Sequence, residues 1–493
     1  MRSMKLAALL AIPAHIALAQ NAQVTVSHLD SLTVDQAIDI ARTNNPAFQQ
    51  TKDQVRIADA QVHTAYGALL PSAGANFGGG YTQGGNQVVQ GLQFANAYDT
   101  YNARYSVGLN YNISAAAAFA PRAARANRRA SEANVVSSSE ALRASVTTQY
   151  IQALESQATA ALNDTLVLTA QGQLDLANAK QKVGAGTVLE VRTAEVALGQ
   201  AEVNALQAHN QATIEKLKLF QLLGVEPDTA VRLTTRFTVM AEPPASLDSL
   251  LTLARRVNPD LAAKKSIEYA NSMQVKVAKT QYLPSLSIST GIGGSSFGTS
   301  QNSDLIVAGQ VRSLAGQYAS CLSADSLRVG AGLAPRGSCQ NQQLTAGQIQ
   351  AIRDANDPMH FRSAPLSVQA SLSLPIFNNF QRESQIEQAR VQHDDAVYNL
   401  KARNIQLTND VTTAYVNLIA AAKTIELQEK TAQQATEALA FAQESYKVGA
   451  KTFLDVTTAQ GVYQQALVAR SNSIYEYHKA FATLESAVGR PLR

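Results

Sequence analysis

The chain has 493 residues, a formal charge of only +4, 16% charged side chains, no Trp and two Cys. That near-balance of charge gives a polyanionic partner such as nucleic acid no reason to bind. After the first 20 residues there is no apolar run of the ~18 or more needed for a helical membrane span.

The N-terminus places Arg2 and Lys5 before the apolar run Leu6 to Ile12 and the small-residue site Ala17-Leu18-Ala19. This is the layout of a cleavable secretory signal over residues 1–19. Its removal takes away two of the 41 basic residues and none of the 37 acids, leaving +2. A first unit follows over residues 31–227. It opens with a short helical pattern ending at Asn45-Pro46, where Pro starts a second helix because its missing N–H costs nothing in the first turn. Leu70-Pro71-Ser72 stops that helix, and strands are expected at about 71–82 and 103–113. In the second strand Tyr105, Val107, Leu109, Tyr111 and Ile113 alternate with polar or small residues, a period of two that puts every apolar side chain on one face. An unbroken helical pattern then runs from about Ala115 to Lys182, some 100 Å at 1.5 Å per residue. It turns at residues 183–187 and returns as a helix to Leu223, ended by Gly224 and Pro227.

Residues 245–491 write the same unit again. Asp35, Arg42, Asn45, Pro46, Lys52, Leu70, Pro71, Ser72 and Gly78 each meet the same residue type 213 positions later. Tyr150 and Lys182-Val183-Gly184-Ala185 meet theirs 265 positions later. Such repetition is a statement about architecture. The second unit is expected to have strands at about 284–294 and 365–376 and a tip turn at 448–452. The growth in offset, 52 residues, marks an insert within about 295–360. Rich in Ser, Gly and Gln, the insert reads as a surface loop or partly disordered excursion. It holds both cysteines, Cys321 and Cys339, and export favours a disulfide between them.

In the second long helix Val397, Leu400, Asn404, Leu407, Val411, Ala414, Leu418, Ala421 and Ile425 step by three and four, a coiled-coil seam. Ile405, Tyr415, Ile419 and Ala422 supply a partial second seam, as a helix with a neighbour on each side would need. The two shorter helices of a unit together nearly match the long one, so they fit end to end alongside it. One apolar and one polar strand face suits a globular sheet or a transmembrane barrel. Four strands cannot close alone, since small barrels need about eight; a membrane reading therefore forces oligomers of two, three or four copies.

Enzyme chemistry lacks parts. The histidines at 63, 209, 360, 393 and 478 show no metal spacing, and Gly184-Ala185-Gly186-Thr187 lacks the Gly-Lys of a phosphate loop. No catalytic, cofactor or metal residue is assigned, and His393-Asp394-Asp395 reads as a solvated helix face.

The whole succession resembles the TolC-like outer-membrane efflux proteins, most specifically in Ser445-Tyr446-Lys447-Val448-Gly449-Ala450-Lys451-Thr452-Phe453-Leu454-Asp455-Val456 and in Leu374-Pro375-Ile376-Phe377. The resemblance implies an α+β membrane protein. Four strands per chain would join a trimeric 12-stranded β-barrel in outer-membrane lipid, continued by a long periplasmic α-helical coiled-coil barrel. It implies a passive exit channel of a tripartite efflux or type I secretion system, with a periplasmic adaptor (membrane fusion protein) and an inner-membrane pump of the RND, ABC or MFS type as partners. Carried over by residue, Gly184, Thr187, Gly449 and Thr452 form the adaptor-contacting tip, and Glu190, Tyr446, Lys451 and Asp455 the periplasmic gate. Another reading of Glu190 and Asp455 is that they favour the positive first turn of the return helices. Thr458 stands where some members have a second carboxylate, so a doubled acidic ring does not carry over. The competing reading of the whole chain is a soluble periplasmic coiled-coil adaptor or structural protein.

Overall fold

The computed structural model describes residues 30–492 except 90, 91, 97, 98, 229, 241–244, 301, 302 and 358. The expected signal, 1–19, lies outside the described residues. In chain order the elements are β1 (Ser31–Leu32), α1 (Val34–Asn44), α2 (Pro46–Gly67), β2 (Ser72–Thr82), β3 (Gly85–Val89), β4 (Leu92–Asn96), β5 (Thr100–Ser114), α3 (Ala115–Lys182), α4 (Val188–Leu223), β6 (Arg232–Leu233), α5 (Leu247–Val257), α6 (Pro259–Lys279), β7 (Ser285–Thr299), α7 (Ser303–Gly330), α8 (Ala346–Ala355), β8 (Arg362–Ser373), α9 (Gln381–Lys447) and α10 (Phe453–Val488). They fall into two compact units. One comprises the chain up to Ala60 with Arg125–Ser272 and Val391–Arg493; the other comprises Gln61–Ala124 and Met273–Arg390.

In the helical unit the sequence duplication becomes a duplicated core. Leu142, Val146, Leu219 and Leu223 are buried with Ala37 and Ala41 of α1 in one cluster. Their counterparts 265 positions on, Leu407, Val411, Leu484 and Val488, are buried with Leu250 and Ala254 of α5 in another. Each fully buried Leu contributes about 1.5–3 kcal/mol by leaving water, and Leu219→Ala or Leu484→Ala would cost about 3 kcal/mol. Of the coiled-coil seam, Leu407, Val411, Ala414 and Leu418 are buried, whereas Val397 and Asn404 are exposed. Ile405 and Ile419 of the second seam also stay exposed.

The Asn-Pro pairs do more than start helices. Asn45 accepts the N–H of Phe48 at 3.0 Å and donates to the carbonyl of Leu222 at 2.8 Å. Asn258 repeats this with Leu261 at 3.1 Å and Ala487 at 3.0 Å. One side chain thus caps an opening helix and satisfies an orphan carbonyl at the end of a return helix. The return helices end at Gly224 and Gly489, with φ of 74° and 92°. A side chain would collide there, at 2.6 Å from the Asn44 carbonyl oxygen or the Pro259 ring.

The other unit centres on a four-stranded antiparallel sheet in the order β2-β5-β7-β8. Register puts Val107 opposite Ile292, Ile113 opposite Leu286 and Leu286 opposite Leu372. The same register puts Ser106, Gly108, Asn110 and Asn112 on the other face with Ser287, Ser289 and Ser371. A bulge at Gly291/Gly293 takes up Pro365, which has no N–H to give a ladder.

Several expectations are corrected. The first main strand, 72–82, falls within its expected span, but the other three are longer or shifted, at 100–114, 285–299 and 362–373, because pairing with a neighbour extends them beyond the alternating core of each pattern. A separate hairpin, β3 with β4, fills part of the loop between the first two strands. The insert is not a loop: it folds into α7 and α8, joined by the Arg353–Asp304 ion pair, and Cys321 and Cys339 are disulfide-bonded across 5.7 Å between Cα atoms. Its Ser- and Gln-rich composition conceals Leu, Val and Ala at helical spacing and the Thr345–Gln348 capping box. The first long helix contains Pro121 within its second turn, so one i→i−4 bond is missing where an unbroken pattern was expected.

Candidate functional site: the paired helix tips

The long helices end in the same way. At the first tip Gly184 takes φ 76°, its N–H donates to the Gln181 carbonyl at 3.0 Å, and Ala185 donates to Lys180 at 2.8 Å. At the second Gly449 takes φ 79°, donating to Tyr446 at 3.2 Å, with Ala450 donating to Ser445 at 2.8 Å. These reversed turns satisfy the last helix carbonyls and need a residue that tolerates left-handed backbone. Each return helix then opens with a capping box. Glu190 N donates to Thr187 Oγ1 at 3.2 Å while Thr187 N donates to Glu190 Oε2 at 3.1 Å. Asp455 N donates to Thr452 Oγ1 at 3.3 Å while Thr452 N donates to Asp455 Oδ2 at 2.8 Å.

Of the four residues assigned to a gate, the structure brings two together. The Tyr446 hydroxyl donates to Glu190 Oε2 at 3.2 Å. Burial, reinforced by the negative charge of Glu190, pushes the phenol up to about 12. Asp455 does not reach across. Its carboxylate is held by the backbone and hydroxyl of Thr452, which lower its pKa, helped by the charge of Lys451. Lys451 itself is exposed. For Asp455, then, the helix-terminus reading describes the contacts made; Glu190 makes the same helix-terminus contact and also accepts from Tyr446.

Two residues at this junction were not singled out by sequence. Lys180 places its ammonium 3.4 Å from the centroid of the Tyr446 ring and donates to the Tyr446 carbonyl at 2.8 Å. Phe453 packs on the same ring, centroids 5.7 Å apart. Beneath them Ala177, Val191, Ala194, Ala442 and Val456 form a small buried cluster whose short side chains let the two hairpins approach. The signal for Lys180 was positional only, since it lies in the last turn of a helix where a cation meets the negative end of the dipole. At the outermost points Val183, Leu189, Val448 and Leu454 are each at least 72% exposed. They form an apolar pair repeated on both tips at the 265-residue offset.

No group of three His, Cys, Asp or Glu able to hold a metal occurs among the described residues. His393 meets Glu268 at 3.1 Å and Asp394 at 3.4 Å, and His209 meets Asp164 at 2.9 Å, contacts between side chains on helix faces.

The model of the family described as Outer membrane efflux protein matches residues 37–225 and 338–490, well over half of the chain. The chain belongs to that family. It is 23% identical over 321 residues to the outer membrane protein TolC of Escherichia coli, a match covering 64% of this chain and 55% of the relative. TolC of Vibrio cholerae is 20% identical over 317 residues, covering 64% and 60%. The chain thus spans a little over half the length of these curated relatives. Among solved structures, the outer membrane protein VceC of Vibrio cholerae superposes with a TM-score of 0.67 at 17% identity, covering 93% of this chain and 97% of that one. The open state of the MtrE outer membrane channel of Neisseria gonorrhoeae gives 0.66 at 18%, covering 93% and 89%. The fold is therefore that of the TolC-like channels. The protein is located in the outer membrane, with a periplasmic extension.

Proposed function

We propose that the protein is a passive outer-membrane exit conduit, a homotrimer in which each chain supplies four strands of a twelve-stranded barrel continued by a periplasmic helical barrel. Solute would come from a periplasmic adaptor and an inner-membrane pump of the RND, ABC or MFS type, as in tripartite efflux or type I secretion. The observation that carries this reading is the sheet. Its apolar face is open to solvent, with Phe77, Val368 and Leu372 each at least 69% exposed, and both β2 and β8 have an unpaired edge. A monomer with such a face and two such edges would aggregate; closure with other copies in lipid removes both liabilities. Tyr105 and Ile113 are eight residues apart along β5, about 26 Å at 3.3 Å per residue, close to the height of an outer-membrane apolar band.

The tips fit adaptor docking. Val183 with Leu189 and Val448 with Leu454 offer the same exposed apolar pair twice per chain, six times per trimer, while Glu190 and Tyr446 hold the hairpins together in a gate. No group on the chain is assigned a catalytic role, and energy would come from the pump. The test is the molar mass of protein extracted from outer membranes in mild detergent, corrected for bound detergent. Three chains are expected; a monomer, or release by salt alone, would overturn the reading in favour of a soluble periplasmic protein.

A further inference from the structure

The four strands of the main sheet contain only two charged side chains, Arg104 on β5 and Arg362 on β8. Register places them in one row. Arg104 lies opposite Ser295 of β7, and Ser295 lies opposite Arg362, so both arginines project from the same face with Gly78 and Ser295 in the same row. That face is the polar one, continued along the sheet by Asn102, Ser106, Asn110, Ser289 and Ser371. It is also the concave one: a groove of about 540 Å³ is lined mainly by residues such as Gly74, Asn76, Ser106, Gly108, Ser289 and Ser367. Both arginines are exposed. Asp99, one residue before β5, is engaged elsewhere, by the Tyr81 hydroxyl at 3.1 Å and the Gly84 N–H at 2.8 Å. The opposite face of this end carries aromatic rings, Tyr81 with Tyr101 and Tyr105 with Phe361, as a lipid-facing girdle would.

We infer that Arg104 and Arg362 form a cationic constriction near the outer end of the conduit that favours anionic solutes over cationic ones. This rests on the channel reading above, in which the concave polar face lines the lumen. Two strand spacings separate the arginine backbones by about 10 Å, and three copies would put six guanidiniums at one level. Rings of fixed charge are how pores select ions. The rest of that face, mostly Ser, Asn, Gly and Thr with Phe297 opposite Asn102, supplies no compensating carboxylate. A solute leaving through this level therefore meets positive potential whatever the pump selected.

The test uses the full chain in outer membranes, with Ser106→Cys as a reporter. Ser106 shares the face of Arg104 two residues along β5, about 7 Å away. The native cysteines are already bonded to each other, so the new thiol is the only one to react. Its modification rate is measured with an anionic sulfonatoethyl and a cationic trimethylammonioethyl methanethiosulfonate, each normalised to a free thiol. The anionic reagent is expected to be favoured about fivefold or more. The preference should vanish in Arg104→Gln/Arg362→Gln and invert in Arg104→Glu/Arg362→Glu, with detergent mass confirming assembly of each variant. A reactive thiol whose preference is the same in all three backgrounds would overturn the constriction and leave the channel intact. A thiol that neither reagent reaches would put this face outside any lumen and overturn both.

Discussion

The two helix tips are built on one backbone plan and differ in a few side chains, one pair of them, Glu190 and Asp455, by a single methylene. Both turn on a left-handed glycine, both open the return helix with Thr, and both place a carboxylate three residues later. Glu190 is long enough to satisfy its own Thr187 N–H and still accept from Tyr446 on the other hairpin. Asp455 spends both of its contacts on Thr452. Duplication followed by small changes has thus made one tip a clasp and left the other a plain helix start. Tyr446 is the second half of the clasp, standing where the first repeat has Gln181, and Lys180 stands where the second has Ser445. The asymmetry resides in side-chain reach, not in fold.

The largest perturbation of this difference should be Tyr446→Ala, which removes a ring packed against Phe453 and beneath Lys180. A loss of about 3 kcal/mol is expected, seen as faster hydrogen exchange of amides at both tips; exchange confined to the second tip would mean the hairpins are not clasped through this residue. Next, Gly449→Val and Gly184→Val should each cost about 2 kcal/mol, because a β-branched side chain is forced into left-handed backbone. Equal effects would show that the turns are equivalent even though the clasp is not.

Tyr446→Phe keeps the packing and removes only the bond to Glu190, with a cost of about 1 kcal/mol. It also reports on pH. The phenol titrates at about 12 in the closed tip and near 10 when released into water. Its contribution is therefore whole below pH ~10 and is lost as pH rises toward 12, because the open form gives up its proton first. Tip exchange should rise in that window in the parent and not in the Phe variant, together with the parent-minus-variant difference in tyrosinate absorbance, since the other 15 tyrosines titrate in both. The smallest effect is expected from Asp455→Ala, which frays the first turn of α10 without touching the clasp. If its leak of large antibiotics matched that of Glu190→Ala, Asp455 would belong to the gate itself.

Much of this was legible in the chain. Offsets of 213 and 265 exposed the repetition, though not the two compact units, each of which draws on both repeats; alternation in Tyr105 to Ile113 and in Leu366 to Leu372 gave the two faces of the sheet, since a period of two leaves no other arrangement. The tip glycines and threonines were readable because turn and cap chemistry depends on residues within a few positions of one another. The helical insert was not, because exposed helices with little apolar contrast resemble loops in composition. The pairing of Tyr446 with Glu190, 256 positions apart, could not be read from either segment alone.

Sequence by itself determined what is local or repeated: where helices start and stop, which strand residues share a face, and that the unit occurs twice. Tertiary structure decided which distant groups meet. The choice between Glu190 and Asp455 as clasp, the placing of Lys180 over Tyr446, and the alignment of Arg104 with Arg362 across β7 depend on the register between segments far apart in the chain. Local propensities are blind to that register; packing and strand pairing set it.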